Sequence, residues 1–478
     1  MKELDLNQIV QVIGGKVITD NAWSNHGVTG VSLDSRNIKV GELFFALPGE
    51  RVDGHAFVSK ALQAGAAGAV VNHWPVGEPM PDAFLNFGPA PIIEVDDVLS
   101  ALQDLAAWYR RLFAIPIIGV TGSTGKTTTK DLLAAVLSKG FRTLKTSGNY
   151  NNEIGVPLTI LELTDQHQAA VVEMAMRGPG EIAALSTIVA PTVGLITNIG
   201  HTHLELLGTQ ENIALAKGEL LDSLPETGWA VLNADDPWQG FLGNRCKVRT
   251  FYYGLQPATG IFASDLQLQG SAGSRFQVHL PDAVGEVWVP VPGRHNIYNA
   301  LAALGVGWLL GMKLEEMAAG LAEAQLSAMR LDLGPGYQGT TLINDAYNAN
   351  PDSMLAALRV LDNIEGKRRV AVLGEMYELG DFAEEGHRRV GEEAARLKVS
   401  FLVTVGKLAE NIAEGALEAG LPQDCVRAVP DKNRAVNLVK DYLEPGDVVL
   451  VKGSRGMHME EIVSALQPAG QDRGENRL

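Results

Sequence analysis

The sequence predicts an α/β protein of three domains, a small α/β unit followed by two units built on doubly wound, mostly parallel sheets. Three observations predict it. The 478 residues suffice for about three domains at ~150 residues each. Apolar strand-like runs alternate with helical stretches from Ile115 onward, and the alternation restarts past Met329. One such run, Ile117 to Val120, ends in a glycine-rich turn that opens an amphipathic helix.

Composition narrows the class. Hydrophobic residues at 46% and charged residues at 20% fit a soluble globular chain. A formal net charge of -17 argues against a nucleic-acid partner, so any phosphate contact is expected to be local. No apolar segment is long enough for a membrane span, and the start at Met1, Lys2 and Glu3 lacks a basic n-region and apolar h-region. A cytoplasmic location is therefore expected; the oligomeric state is left open, with a monomer favoured. Cys246 and Cys425 lie far apart without ligand spacing, which supports neither a disulfide framework nor a thiolate zinc site.

In chain order, Val28 to Leu47 reads as short strands and turns, Ala56 to Ala64 as a helix and Ala67 to Val71 as a buried strand. This first domain spans 1–113. The turn after Val120 comes next. Its residues Thr121, Gly122, Ser123, Thr124, Gly125, Lys126, Thr127 and Thr128 have the build of a nucleotide-phosphate cradle. Glycines let backbone N–H groups approach phosphate oxygens, Lys126 supplies a point charge, and the Thr127 hydroxyl can ligate Mg²⁺. The strict cradle pattern wants glycine where this chain has Val120, and a ligand-free strand-to-helix turn is the bland alternative.

Strands at Ala170 to Met174, Val193 to Ile199 and Ala230 to Leu232, with helices at Glu181 to Ile188 and Glu211 to Leu221, continue the sheet. An alternating run at Gly285 to Pro292 predicts an edge strand, and His295 to Leu310 a helix. This central P-loop domain spans 114–328. Beyond it, strands at Thr341 to Asp345, Val370 to Leu373, Phe401 to Val405 and Val448 to Val451 each precede a helix-like run, a Rossmann-like unit over 329–478. Two nucleotide-type sheets in one chain point to a site between them. The polar tail from Gln467 is expected to fray.

Candidate chemistry gathers at predicted strand ends. Glu173 can complete a Mg²⁺ shell begun by Thr127, or be a solvated strand-end acid. His201 and His203 suit a metal if their loop turns them together, though surface loops carry histidines for no such reason. Lys217 sits in an apolar helical run, where a snorkelling surface lysine reads the same. Asn296 and Asn299, three apart on one helical face, can read a purine edge, and capping explains Asn296 almost as well. Arg330 lies at the second domain boundary. Asp345 ends a strand, where a carboxylate commonly holds ribose hydroxyls, while the Asn and Pro after it also read as a turn.

In this order the pieces resemble the Mur ligases, the ATP-dependent amide ligases of peptidoglycan precursor synthesis, over nearly the whole chain. The resemblance rests on Thr-Gly-x-x-Gly-Lys-Thr at Thr121 to Thr127, the strand-end Glu173, Asn198 with His203, and Lys217 in Ala-Lys-Gly-Glu. It continues through His-Asn-x-x-Asn-Ala at His295 to Ala300, the Arg330 of Met-Arg, and Asp345 before Tyr-Asn-Ala-Asn-Pro. Gly148 to Pro157, Asp345 to Met354 and Leu373 to Gly380 look like the branch that adds D-alanyl-D-alanine to UDP-N-acetylmuramoyl-tripeptide. The Asp-Asn-Pro-Arg-type stretch of the branch adding the third residue is not found.

The resemblance implies that ATP phosphorylates the tripeptide's carboxylate and that the dipeptide amine attacks the acyl phosphate. It implies ATP contacts from Thr121 to Thr128, Asn296, Asn299, Arg330 and Asp345, and catalytic roles for Lys126, Glu173, His203, Lys217 and Arg330. Two Mg²⁺ sites are implied, one at Thr127 and Glu173, the other near His203 and a carbamoylated Lys217. His203 rather than His201 holds the family position. Ser32, Asp34, Ser35, Arg36, Asp53, Gly54 and His55 look like the nucleotide-sugar site, with Asn149, Asn152, Tyr347 and Asn348 as further substrate contacts. Rival readings are a ligase of another specificity, such as folylpolyglutamate synthesis or the preceding peptidoglycan step, and a nucleotide-switched binding protein.

Overall fold

The structure is a computed structural model that describes residues 1–19, 27–49, 52–72, 90–257 and 260–468. The end of the polar tail, 469–478, lies outside them. Among the described residues the strands form a five-stranded, a nine-stranded and a six-stranded sheet, with a two-stranded ribbon near the N-terminus. These are the three α/β units that the alternation predicts.

The first sheet runs in the order Lys16–Val17, Ile92–Val95, Gly68–Asn72, Glu42–Phe45, Gly30–Ser32, and its first pair alone is antiparallel. Both faces are covered, because side chains alternate along a strand. Leu43 and Phe45 pack with Leu6, Ile9 and Leu105, while Phe44 packs with Val58 and Ala61. The helix expected over 56–64 is a 3₁₀ turn, Gly54–Phe57, running into Val58–Gln63.

The helix Val98–Arg110, absent from the sequence reading, begins where Asp97 accepts from Ser100 N at 2.6 Å. Its apolar face joins the first unit to the second, since Leu102, Leu105 and Tyr109 share one core with Ile160 and Ile182. Arg110 closes this junction. Its buried guanidinium donates to the carbonyls of Val189 (2.8 Å), Phe113 (2.6 Å) and Ala190 (3.2 Å), and burial lowers its pKa. Among the described residues no acid pairs with it, and carbonyls offset its desolvation. Arg110→Met keeps the stem but leaves those carbonyls without their donor. It is expected to cost about 2–4 kcal/mol of unfolding free energy in urea titration. A loss near zero would mean that the carbonyls find other donors.

The nine-stranded sheet runs Val284–Val289, Ser274–His279, Gly260–Leu268, Arg249–Gly254, Trp229–Asn233, Val193–Ile196, Ile117–Thr121, Ala169–Glu173, Thr143–Lys145. Pairing is parallel except among the first three, so the expected edge strand near 285–292 is found as Val284–Val289. Two antiparallel strands beside it, and short ones at Thr143–Lys145 and Arg249–Gly254, were not anticipated. Strand order reverses beside Ile117–Thr121, whose neighbours are Ala169–Glu173 and Val193–Ile196. Ligands bind at such a switch point, outside the carboxyl ends of the strands.

The third sheet runs Asp332–Pro335, Thr341–Asp345, Val448–Lys452, Arg369–Gly374, Phe401–Val405, Val426–Val429, parallel after its first pair. Register sets Asp345 beside Lys452. The turn-like Asn350 and Pro351 start the helix Pro351–Asn363, with Asn350 accepting from Ser353 N at 2.8 Å and Pro351 at the first position. No helix among the described residues is long and apolar enough to cross a membrane.

Candidate active site

The strand Ile117–Thr121 is buried throughout and delivers the chain into the helix Lys126–Leu137. Between them the turn depends on two glycines. Gly122, at φ 144°, leaves no room for a Cβ against Thr197 Oγ1. Gly125, at φ 78°, would bring one 2.7 Å from Asn299 Oδ1. Asn198 holds the turn's outer side, its carbonyl accepting from Ser123 N and its Oδ1 from Thr124 N, each at 3.0 Å. Lys126 Nζ folds back onto Gly122 O at 2.7 Å, and burial lowers its pKa to about 8 against the pull of Glu173.

A cavity of about 380 Å³ opens above the turn and is closed by the third unit. It brings together Ser123 to Thr128, Asn296, Asn299, Arg330, Asp345 and Asn348. Thr121 and Gly122, expected among the ATP contacts, do not line it. Asn296 and Asn299 are buried and joined to each other at 2.9 Å, and Asn299 also accepts from Thr129 Oγ1 at 3.1 Å. Asn296 donates to Pro292 O at 2.7 Å and makes no N-cap bond.

Glu173 is 1% exposed. Its Oε1 accepts from Thr127 Oγ1 at 3.1 Å and Asn151 Nδ2 at 2.8 Å, while Oε2 has no hydrogen-bond donor among the described residues and lies 4.0 Å from Lys130 Nζ. A buried carboxylate oxygen left without a donor is costly, and beside a hydroxyl it is what a hard cation requires. No cluster of three His, Cys, Asp or Glu occurs among the described residues, so phosphate and water oxygens would complete such a shell.

Arg330 reaches this corner from the third unit. Its neighbours Met329 and Leu331 both take left-handed backbone, at φ 59° and 50°, which bends the linker sharply. The guanidinium then stacks 4.1 Å from the centroid of Tyr347 and donates to Thr127 Oγ1 at 3.3 Å. Asp345 accepts from Lys452 Nζ at 2.5 Å and from Leu331 N at 3.2 Å, and Lys452 also donates to Asn348 O at 2.9 Å. Burial lowers the pKa of Lys452, partly offset by Asp345.

The two histidines part company. His201 turns to Asp352 and Phe382 of the third unit. His203, itself at φ 57°, sets Nδ1 2.6 Å from Glu378 Oε2, in contact but off the hydrogen-bonding line. Burial lowers the His203 pKa despite Glu378, with Lys217 and Lys126 adding to the effect. Lys217, on the helix Gln210–Asp222, is 1% exposed rather than snorkelling. Among the described residues no acid lies within ion-pair distance of it, and burial, with Lys126 nearby, puts its pKa well below the usual lysine range.

In the first unit a groove of about 470 Å³ is lined by Asp34, Ser35, Arg36, Gly54, Phe57 and Lys60. Arg36 clasps the Asp34 carboxylate through Nε, at 2.9 and 3.1 Å, and Nη2, at 2.8 Å. Ser32, Asp53 and His55 stand behind the groove: Ser32 Oγ bonds the Asp34 backbone, and Asp53 orients His55, which accepts from Asn72 N at 3.0 Å. Asn149 is exposed. Asn152 caps the next helix through Gly155 N at 2.9 Å, and its neighbour Asn151 reaches Glu173 instead. Sequence reasoning missed Asn151, Lys130, Asp352, Glu378 and Lys452. Asn151, Asp352 and Glu378 lie within the stretches singled out by the resemblance, Gly148 to Pro157, Asp345 to Met354 and Leu373 to Gly380, whereas Lys130 and Lys452 carried no signal.

Family models match three stretches, "Mur ligase family, catalytic domain" at 27–110, "Mur ligase middle domain" at 120–307 and "Mur ligase, glutamate ligase domain" at 329–455. The UDP-N-acetylmuramoyl-tripeptide--D-alanyl-D-alanine ligase of Bacillus subtilis is 40% identical over 464 residues, 96% of this chain and 98% of that protein. The same ligase of Escherichia coli is 35% identical over 98% of this chain and 100% of its own. Among solved structures, MurF from Acinetobacter baumannii superposes with a TM-score of 0.86 at 33% identity, covering 97% of this chain and 98% of its own. MurF from Thermotoga maritima in complex with ADP gives 0.77 at 27% identity, over 92% and 97%. With its cradle, its strand-end acid and its closing third unit, this chain belongs to the Mur ligase family.

Proposed function

We infer that this chain is an ATP-dependent ligase that joins D-alanyl-D-alanine to UDP-N-acetylmuramoyl-tripeptide, giving the pentapeptide precursor, ADP and phosphate. One observation carries the chemistry: Lys126 and Thr127 of the central unit and Arg330 of the third line the cavity together, with Glu173 accepting from Thr127 behind them. Residues 1–113 would hold the nucleotide sugar, 114–328 the ATP phosphates, and 329–478 the amine and the cavity's cover. ATP binding agrees with the ADP complex of the Thermotoga relative.

A carboxylate is a poor electrophile, and its charge repels the γ phosphate as they approach. Lys126 and Arg330 neutralise the charge that develops on the transferring group. Thr127 and the donorless Glu173 Oε2 would hold Mg²⁺, which supplies further charge neutralisation at the phosphates. A second Mg²⁺ is assigned to His203 and Lys217. A lysine cation cannot ligate a metal, whereas a neutral amine forms an N–C bond to CO₂ and releases one N–H proton to water, leaving an anionic carbamate oxygen donor, and the lowered pKa of Lys217 supports that modification. Tyr347 to Asn350 and Glu375 to Leu379, at carboxyl ends of the third sheet, are assigned to the amine.

With ATP and UDP-N-acetylmuramoyl-tripeptide supplied, D-alanyl-D-alanine is expected to support much faster ADP release than D-alanine, L-alanine or glutamate. A single amino acid as the better acceptor, or a dipeptide-bearing nucleotide sugar as the better donor, would overturn the specificity and leave the ligase chemistry standing.

A further inference from the structure

Segment 198–203 of the central unit is gripped from three sides. Below it, Gly200 N donates to Ser123 Oγ of the phosphate turn at 2.8 Å. Beside it, buried Asp236 accepts from Ile199 N at 2.9 Å. Above it stands the third unit, where Asp352 Oδ2 accepts from His201 N at 2.8 Å and lies 3.3 Å from His201 Nδ1. The His201 ring stacks on Phe382, centroids 4.7 Å apart and 19° between planes, and Arg389 covers the same phenyl at 5.0 Å. Gly200 admits Asp352 this closely because a Cβ there would strike its carboxylate. Burial pushes the Asp352 pKa up, but its bonds from His201 outweigh this and hold it below the usual carboxylate range.

We propose that His201, with Asp352 and Phe382, is a latch that holds the third unit closed on the phosphate turn and so positions the amine pocket. His201 is a positioning residue and touches no substrate in this role. The turn's Ser123 and the third unit's Asp352 grip adjacent peptide units, so an ordered turn presents the latch and a displaced turn withdraws it. The latch rests on the function inferred above for the amine pocket, because closure is what makes that pocket complete.

A weaker latch leaves a smaller fraction of molecules competent to bind the amine, which raises its apparent KM by the same factor and spares turnover at saturation. His201→Ala deletes the stack and the imidazole contact, and KM for D-alanyl-D-alanine is expected to rise about threefold to tenfold. Turnover at saturating dipeptide and KM for the nucleotide-sugar tripeptide should stay within about twofold. Phe382→Leu, made from the other side of the stack, should give the same split, and the double variant no more than either single one. Small-angle scattering of the full chain should shift toward a more open particle in both, with unchanged melting temperature. An unchanged dipeptide KM in both variants, a fall in turnover in place of the KM effect, or additive effects would overturn the latch. Wild-type turnover with the dipeptide tests the inferred function separately.

Discussion

Lys126→Met is expected to lower ATP-dependent amide synthesis by about 10³-fold while leaving the chain folded. The ammonium rests on Gly122 O at the phosphate turn, a carbonyl it can exchange for phosphate oxygens. Its pKa of about 8 has two consequences. Anionic nucleotide favours the protonated form, so binding above pH 8 should draw a proton from solution. Calorimetry in two buffers of different ionisation enthalpy reads that uptake, and Lys126→Met should abolish it.

The second consequence concerns stability, and its sign is definite. A lysine whose folded pKa lies below its unfolded value of about 10.4 binds fewer protons in the native state between the two, so its contribution to stability rises with pH across that window. At neutral pH the charged side chain costs stability. The methionine variant should therefore melt no lower than the parent, as expected where a strained charge is kept for function. Turnover within tenfold of the parent, or a lower melting temperature with the same turnover, would remove Lys126 from the role.

Much of this site was legible because parallel sheets are regular. Buried strands read as apolar runs, and their carboxyl ends point to Glu173 and Asp345, whereas Asn198 came with the resemblance. The antiparallel strands Gly260–Leu268 and Ser274–His279 were illegible for the opposite reason: one is broken by a register shift between Ser264 and Gln267, and short polar positions blur the alternation. The missed partners share a different cause. Asp352 and Glu378 meet the central unit only when two sheets distant in sequence close together, and no local pattern encodes that contact. Lys452 reaches Asp345 through strand register, which the sequence leaves open. Arg330 was found by resemblance, whereas its geometry depends on two left-handed residues that are not glycine.

Lys217 carries the other large effect. Lys217→Arg keeps a cation but cannot add CO₂, and Lys217→Met keeps the packing of a buried straight chain with neither charge nor amine. Each is expected to lose about 10²- to 10³-fold in amide synthesis while still binding ATP, because the phosphate turn and Glu173 are untouched. The two variants separate function from folding. A guanidinium in an enclosure that holds no acid among the described residues is costly, so the arginine form should melt below the parent, whereas the methionine form should match or exceed it. Lost activity in a methionine variant of full stability then belongs to the chemistry of the amine. The amine itself can be observed: with its pKa lowered by burial, it should take up label from isotopically labelled bicarbonate and give a carbamate carbon signal that both variants lack. Turnover within threefold of the parent in Lys217→Met would exclude the lysine from metal binding. A wild-type chain that carries no labelled carbon at saturating bicarbonate would exclude the carbamate even if the lysine proves essential.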